Sequence, residues 1–187
     1  MTLQTLIAAL NDYLTTLPPE RDMVQRTLEF VLQHADCFER SLLEGHVTGS
    51  AMIVNEARTA TLLIHHAKLN RWLQPGGHCD GDPDCLHVAI KEATEETGLT
   101  VRPATGHILD VDIHLIPERG NIPAHYHYDV RYLLMADDTQ TASLATREVK
   151  DARWIPLDEV ANYNNEESVM RMVRKVQHQQ LWAQTNA

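Results

Sequence analysis

GHCDGDPDCLHVAIKEATEETGL, residues 77–99, places a turn-rich entry before one helical segment and crowds three acids at its far end. Asp82 reads as the helix N-cap, with Pro83 at the first helical position and Asp84 in the first turn. The helix is predicted to run to Thr97 and stop at Gly98, a residue suited to a left-handed C-terminal position. Glu92, Glu95 and Glu96 then lie three and four apart, where like charges repel. They also face the negative end of the helix dipole. On composition alone such a face is ordinarily just solvated. A divalent cation among the carboxylates would relieve both penalties, and hard oxygen donors suit Mg²⁺ or Mn²⁺. The bend at Pro75-Gly76-Gly77 has little side-chain bulk, so a backbone carbonyl has room to join the ion.

Working outward, HVTGSAMIV and TATLLIHH on the N-terminal side read as paired strands around a turn at Asn55–Arg58. RWLQPGGHCDGDP is predicted as a Gly/Pro/Asp loop. Beyond the helix, ILDVDIHLI and HYHYDVRYL alternate cleanly. Leu109, Val111, Ile113 and Leu115 share one face, and Asp110, Asp112 and His114 the other. In the second strand Tyr126, Tyr128, Val130 and Tyr132 oppose His125, His127, Asp129 and Arg131. DARWIPL is a further strand, and a last helix around 166–182 carries Val169, Met172, Val173 and Val176 on one side. Strands mixed with a central and a terminal helix indicate an α/β or α+β sandwich.

The whole of residues 77–99 resembles the box of the Nudix hydrolase family: Gly, five residues, Glu, seven residues, Arg-Glu, an aliphatic, any residue, Glu-Glu, any residue, Gly, an aliphatic. Gly77, Glu92, Glu95, Glu96, Gly98 and Leu99 fit every spacing, with Ala93 as the small apolar residue. Two positions depart: Pro83 stands at the family's first Glu and Lys91 at its Arg. Lys91 keeps the positive charge without the guanidinium fork.

The resemblance covers about residues 46–180, with RWIPLDEV inside it, and implies the family's α/β/α sandwich with a mixed sheet. It implies hydrolysis of a nucleoside diphosphate linked to another moiety (a nucleotide sugar, a nucleoside triphosphate or similar) by water attack on phosphorus. Glu92, Glu95 and Glu96 would hold Mg²⁺ or Mn²⁺ together with the Gly76 carbonyl, Glu92 and Glu96 being the surest ligands. Glu148, in TREVKDARW, is the candidate for the family's further glutamate, as ligand or general base. The alternatives are a catalytically silent module that senses a nucleotide, and isomerisation of isopentenyl diphosphate on the same fold. Retention of the box carboxylates favours the hydrolase.

Eight of the eleven histidines fall between positions 65 and 127. If the two alternating strands pair, their polar sides merge into one His/Asp/Arg surface. Antiparallel sheets commonly expose such a side to water. The alternative is a substrate pocket in which Arg131 meets a phosphate and His114, His125, His127 and Asp129 meet phosphate or sugar groups. His78, next to Gly77, would line it too. A transition-metal site is a third use of the same residues. Trp72 either stacks on a base or packs locally.

Residues 1–43 read as a helical hairpin ahead of a Nudix-like domain at 44–187. Leu3, Leu6, Ile7, Leu10, Leu14 and Leu17 have helical spacing, Pro18-Pro19 ends the run, and Pro19 opens a second helix. Met23, Val24, Leu28, Val31 and Leu32 form the second stripe. Packing onto the main domain is the ordinary use of such a hairpin, and a homodimer contact or a lid is the alternative. A formal net charge of −10 provides no general field for nucleic acid. Three cysteines without C-x-x-C spacing indicate no disulfide framework, and no apolar run is long enough for a membrane. Together with the lack of a basic leader at MTLQTLIAAL, these features predict a cytoplasmic protein.

Overall fold

The computed structural model describes residues 2–16, 18–143 and 148–185, with side chains in the last helix through His178. Leu17 of the first predicted stripe lies outside the described residues. Two compact units are distinguishable. The first comprises residues 1–50, 76–89 and 106–132, and the second 51–75, 90–105 and 133–187.

Helices α1 (Leu3–Thr15) and α2 (Arg21–Gln33) belong to the first unit. Thr2 caps α1 through a reciprocal pairing with Thr5, and Leu6 and Leu10 are its fully buried residues. The second helix begins two residues later than the sequence suggests: Pro19 stays in the turn and Glu20 takes the N-cap position. Its buried face is also rotated. Val24, Thr27, Phe30 and Val31 turn inward while Leu32 is 62% exposed. Phe30 accounts for the rotation, because its ring stacks on Tyr128 with centroids 3.9 Å apart. The Tyr13 hydroxyl lies 2.5 Å from Glu20 Oε1 and 2.7 Å from the Leu109 carbonyl, tethering the hairpin to the strand beside it.

Seven strands form one sheet among the described residues: β1 (Gly45–Val54), β2 (Ala60–His66), β3 (Arg71–Leu73), β4 (Gly76–His78), β5 (Arg102–Ile116), β6 (His125–Met135) and β7 (Val149–Pro156). The main order is β3-β2-β1-β6-β5, while β4 pairs with β1 and β7 with β2. The expected hairpin is present, with Ile53 opposite Leu62. Its turn is held by Asn55 Oδ1, which accepts from the Thr59 and Ala60 amides at 2.8 and 3.1 Å. RWLQPGGH is not the loop its Gly/Pro content suggests, since it supplies β3 and β4. Gly76 explains why β4 can form: a Cβ there would sit 2.2 Å from the Ser50 Cβ, so only a glycine backbone can pair so closely with β1.

Helix α3 (Cys85–Thr97) ends as predicted, with Gly98 at φ +70°. Its start differs. Asp84, not Asp82, is the cap, its Oδ1 accepting from the His87 amide at 3.0 Å. Asp82 instead accepts from the Asp84 amide at 2.9 Å and lies 2.7 Å from His87 Nδ1. Pro83 therefore stands in the approach to the helix and not in its first turn. In the second unit a 3-10 turn (Val160–Asn162) precedes α4 (Glu167–Thr185), where Val169, Met172, Val173 and Val176 are buried as expected. No helix among the described residues is long and apolar enough to cross a membrane.

Candidate functional site

Two constellations carry chemistry. The first is the acidic end of α3, in the second unit. One helical turn separates Glu92 from Glu96, which puts both carboxylates on the same side. Glu96 is 6% exposed and Glu92 half-buried, whereas Glu95 is exposed. Lys91 Nζ stands 3.7 Å from Glu92 Oε1, so the lysine charge does reach the neighbouring carboxylate. A pair of acids this sheltered, one turn apart, has the donor chemistry of a hard-cation site. Glu148 is exposed just before β7, and its carbonyl accepts from the Ala67 amide at 2.6 Å. Gly76 lies in β4 of the first unit.

The second constellation is the polar face of β1, β5 and β6 in the first unit, and it is not solvated. Asp110, Asp112, Asp129 and Arg131 are 0%, 7%, 4% and 2% exposed. Arg131 Nε donates to Asp129 Oδ2 at 2.7 Å, and its terminal nitrogens lie 3.2 Å from Asp112 Oδ2 and 3.4 Å from Asp110 Oδ2. Thr48 and Ser50 hydroxyls donate to the two Asp129 oxygens at 2.9 and 2.8 Å. These donors hold the Asp129 carboxyl below the usual range against the opposing effect of burial, and the surrounding carboxylates push the Arg131 guanidinium up. The guanidinium that the sequence offered to a phosphate is thus committed to three carboxylates inside the protein.

Beside this network the histidines gather. His46 is ringed by His78, His125 and His127, with centroids 5.0, 5.0 and 4.8 Å away. His78 and His114 meet the His127 ring edge-on at 4.9 and 5.3 Å. His114 Nδ1 lies 3.4 Å from Asp112 Oδ2. Burial disfavours the charged form of three of these rings: His78 is pushed down to about 4 and His127 to about 2, each aided by neighbouring histidines, and His46 is lowered as well. His78, His114, His125 and His127 are therefore brought together as the sequence suggested, and Asp129 and Arg131 lie in the ion network. Trp72, by contrast, packs locally: it stacks on His65 with centroids 5.0 Å apart, and Arg153 lies over it at 5.2 Å.

The NUDIX domain model matches residues 45–176, well over half of the chain. The chain belongs to the Nudix family. Among Nudix relatives, it is 35% identical over 101 residues to a probable DHNTP pyrophosphohydrolase of Lactococcus lactis, covering 53% of this chain and 58% of that one. It is 31% identical over 118 residues to a Streptomyces rubellomurinus CMP-5'-(N-acetyl-N-hydroxy-3-aminopropyl)phosphonate hydrolase, covering 60% and 53%. The matched region thus spans little more than half the length of these curated relatives. A Clostridium perfringens hydrolase of the NUDIX family shares its structure at a TM-score of 0.56 and 24% identity, over 71% of this chain and 96% of that one. A C. elegans Ap4A hydrolase in a binary complex gives a TM-score of 0.57 at 17% identity, over 71% and 95%. These likenesses establish the Nudix α+β sandwich as the fold.

One residue of the Nudix chain's histidine cluster escapes the sequence reading altogether. His46 lies on β1, outside the two strands whose alternation draws attention. The signal was nonetheless present, since His46, Thr48 and Ser50 recur at period two and fall on one face.

Proposed function

We propose that this protein is a divalent-metal-dependent pyrophosphohydrolase that cleaves a phosphoric anhydride bond in a nucleoside diphosphate joined to another moiety. Support comes chiefly from one observation: within a family-matching box, Glu92 and Glu96 form a sheltered carboxylate pair one turn apart at the end of α3. In this reading Glu92 and Glu96, with Glu95, would hold Mg²⁺ or Mn²⁺. When bound, the ion shields the diphosphate and lowers the pKa of its water. Lys91 steadies Glu92 through its ammonium group. Glu148, carrying an exposed carboxylate, is the proposed general base.

The names of the matching relatives, a pyrophosphohydrolase and a cytidylyl phosphonate hydrolase, support a nucleotide-derived substrate. Residues 1–43 are then an extension ahead of the Nudix domain at 44–187. The deciding experiment incubates the full chain with nucleotide sugars, nucleoside triphosphates and non-nucleoside diphosphates, with Mg²⁺ or Mn²⁺, and measures the phosphate-containing products. Metal-dependent cleavage of any member supports the reading. Tight nucleotide binding with no cleavage anywhere in the panel would replace it with the sensing role.

A further inference from the structure

We propose that His46, His125 and His127 form a transition-metal centre of the Zn²⁺ type, separate from the carboxylates of α3. The proposal does not depend on the hydrolase reading. It rests first on convergence. One nitrogen from each ring lies within 4.8 Å of the others, and among the described residues no other group of three His, Cys, Asp or Glu side chains comes together in this way. Around a zinc ion with bonds of about 2.0–2.1 Å, such nitrogens would stand roughly 3.4 Å apart. Binding would require the rings to rotate so as to close that difference.

The second support is a hydrogen-bond deficit. His46 is 3% exposed, yet neither ring nitrogen makes a hydrogen bond of ordinary length and angle, although the Leu42 backbone favours its protonated form, and His127 Nε2 is likewise buried without a partner. A buried donor or acceptor left unmade costs about 1–3 kcal/mol, so three at one point require an explanation. A neutral imidazole has one lone pair and one N–H, so a cation would satisfy one nitrogen on each ring, with the second His46 nitrogen left to carry its hydrogen toward the Leu42 backbone.

The third support is a fixed tautomer. His125 Nδ1 lies 2.9 Å from the Pro123 carbonyl oxygen. A carbonyl can only accept, so Nδ1 carries the hydrogen and Nε2 presents its lone pair. An imidazole that donates to a backbone carbonyl through one nitrogen and ligates through the other is the usual arrangement around a protein-bound metal. The ligands also stand on strands, since His125 and His127 alternate onto one face of β6 and His46 comes from β1, its neighbour in the sheet. Neutral imidazoles select zinc, copper, nickel or cobalt over magnesium, which prefers oxygen. Three protein ligands leave one place for water, for the nearby His78 or for an anionic ligand oxygen.

The test uses the full chain stripped with EDTA and freed of chelator, titrated with Co²⁺ while visible absorption is recorded, then challenged with Zn²⁺. We expect one equivalent to bind with the intense bands of a four- or five-coordinate nitrogen site, and Zn²⁺ to displace it. Glu96→Gln should leave those bands unchanged, whereas His125→Gln and His127→Gln should each weaken Co²⁺ binding by at least about 100-fold. Zn²⁺ should also raise the thermal midpoint of the wild type and not that of the histidine variants. If His46→Gln fails to fold, the two β6 variants still decide the matter. Absence of the bands in the wild type, or their persistence at full affinity in His127→Gln, overturns the centre. A pale octahedral spectrum lost only in Glu96→Gln would place all bound metal on α3 and overturn it equally, while leaving the hydrolase reading intact.

Discussion

Arg131 Nε and Asp129 Oδ2 stand 2.7 Å apart inside the protein, on residues two apart in one strand, with the arginine 2% exposed. Alternation puts both on one face, and Asp110 and Asp112 of β5 extend toward the same guanidinium. Removing one partner from such a buried set leaves charges without compensation, a loss of about 3–5 kcal/mol. Arg131→Leu should therefore lower the urea midpoint strongly, and Arg131→Lys should lower it less, because the charge survives without the planar fork. A variant as stable as the wild type would mean that the guanidinium is not what holds these acids.

At the end of α3, Glu96 and Glu92 predict activity and not stability. Glu96→Gln preserves shape while halving the charge of the sheltered pair, so its unfolding midpoint should stay near that of the wild type. Its kcat/KM should fall by at least about 100-fold, beyond the loss typical of a residue that merely supports a ligand. Glu95→Gln, on the exposed side, should lose less. EDTA should abolish turnover and Mg²⁺ or Mn²⁺ should restore it. Comparable rates for wild type and Glu96→Gln would remove the carboxylate pair from the mechanism.

The histidines make the metal-free chain sensitive to mild acid. Burial pushes His78 down to about 4 and His127 to about 2 in the folded protein, against about 6.5 when unfolded. Between these values the unfolded state binds more protons, so stability rises with pH there. The contribution is complete above about pH 6.5 and is lost as pH falls toward 4. In EDTA, urea midpoints should drop between pH 6.5 and 5, a range where few carboxylates titrate. His127→Gln should flatten that slope. A flat profile in the wild type would show that the rings are hydrated.

Cys37, Cys79 and Cys85 are 0%, 3% and 0% exposed, and Cys79 Sγ and Cys85 Sγ lie 4.0 Å apart without a disulfide. Burial pushes the Cys37 thiol up to about 12, and the hydrogen bond with Cys79, reinforced by burial, raises Cys85. The thiolate is the reactive form and all three sulfurs are buried, so a thiol reagent at pH 8 should label none of the three in the native state within minutes. In urea it should label all three. Rapid native labelling would show that the first unit opens readily.

Local rules were legible in the chain. The spacing from Gly77 to Leu99, the stop at Gly98 and the period-two strands around 108–116 and 125–133 each depend on neighbours close in sequence, and each is visible there. Box spacing in particular carried the family and the acidic pair. Tertiary structure alone decided which polar face is covered, because alternation says which side chains share a side and nothing about what lies over it. For that reason Asp110, Asp129 and Arg131 proved buried, and Leu32 was displaced outward by the stacking of Phe30 on Tyr128. The same non-local cause brought His46 to His125 and His127, some 80 residues away along the chain and 5.0 and 4.8 Å away in space. Strand pairing made neighbours of residues that no sequence window holds together.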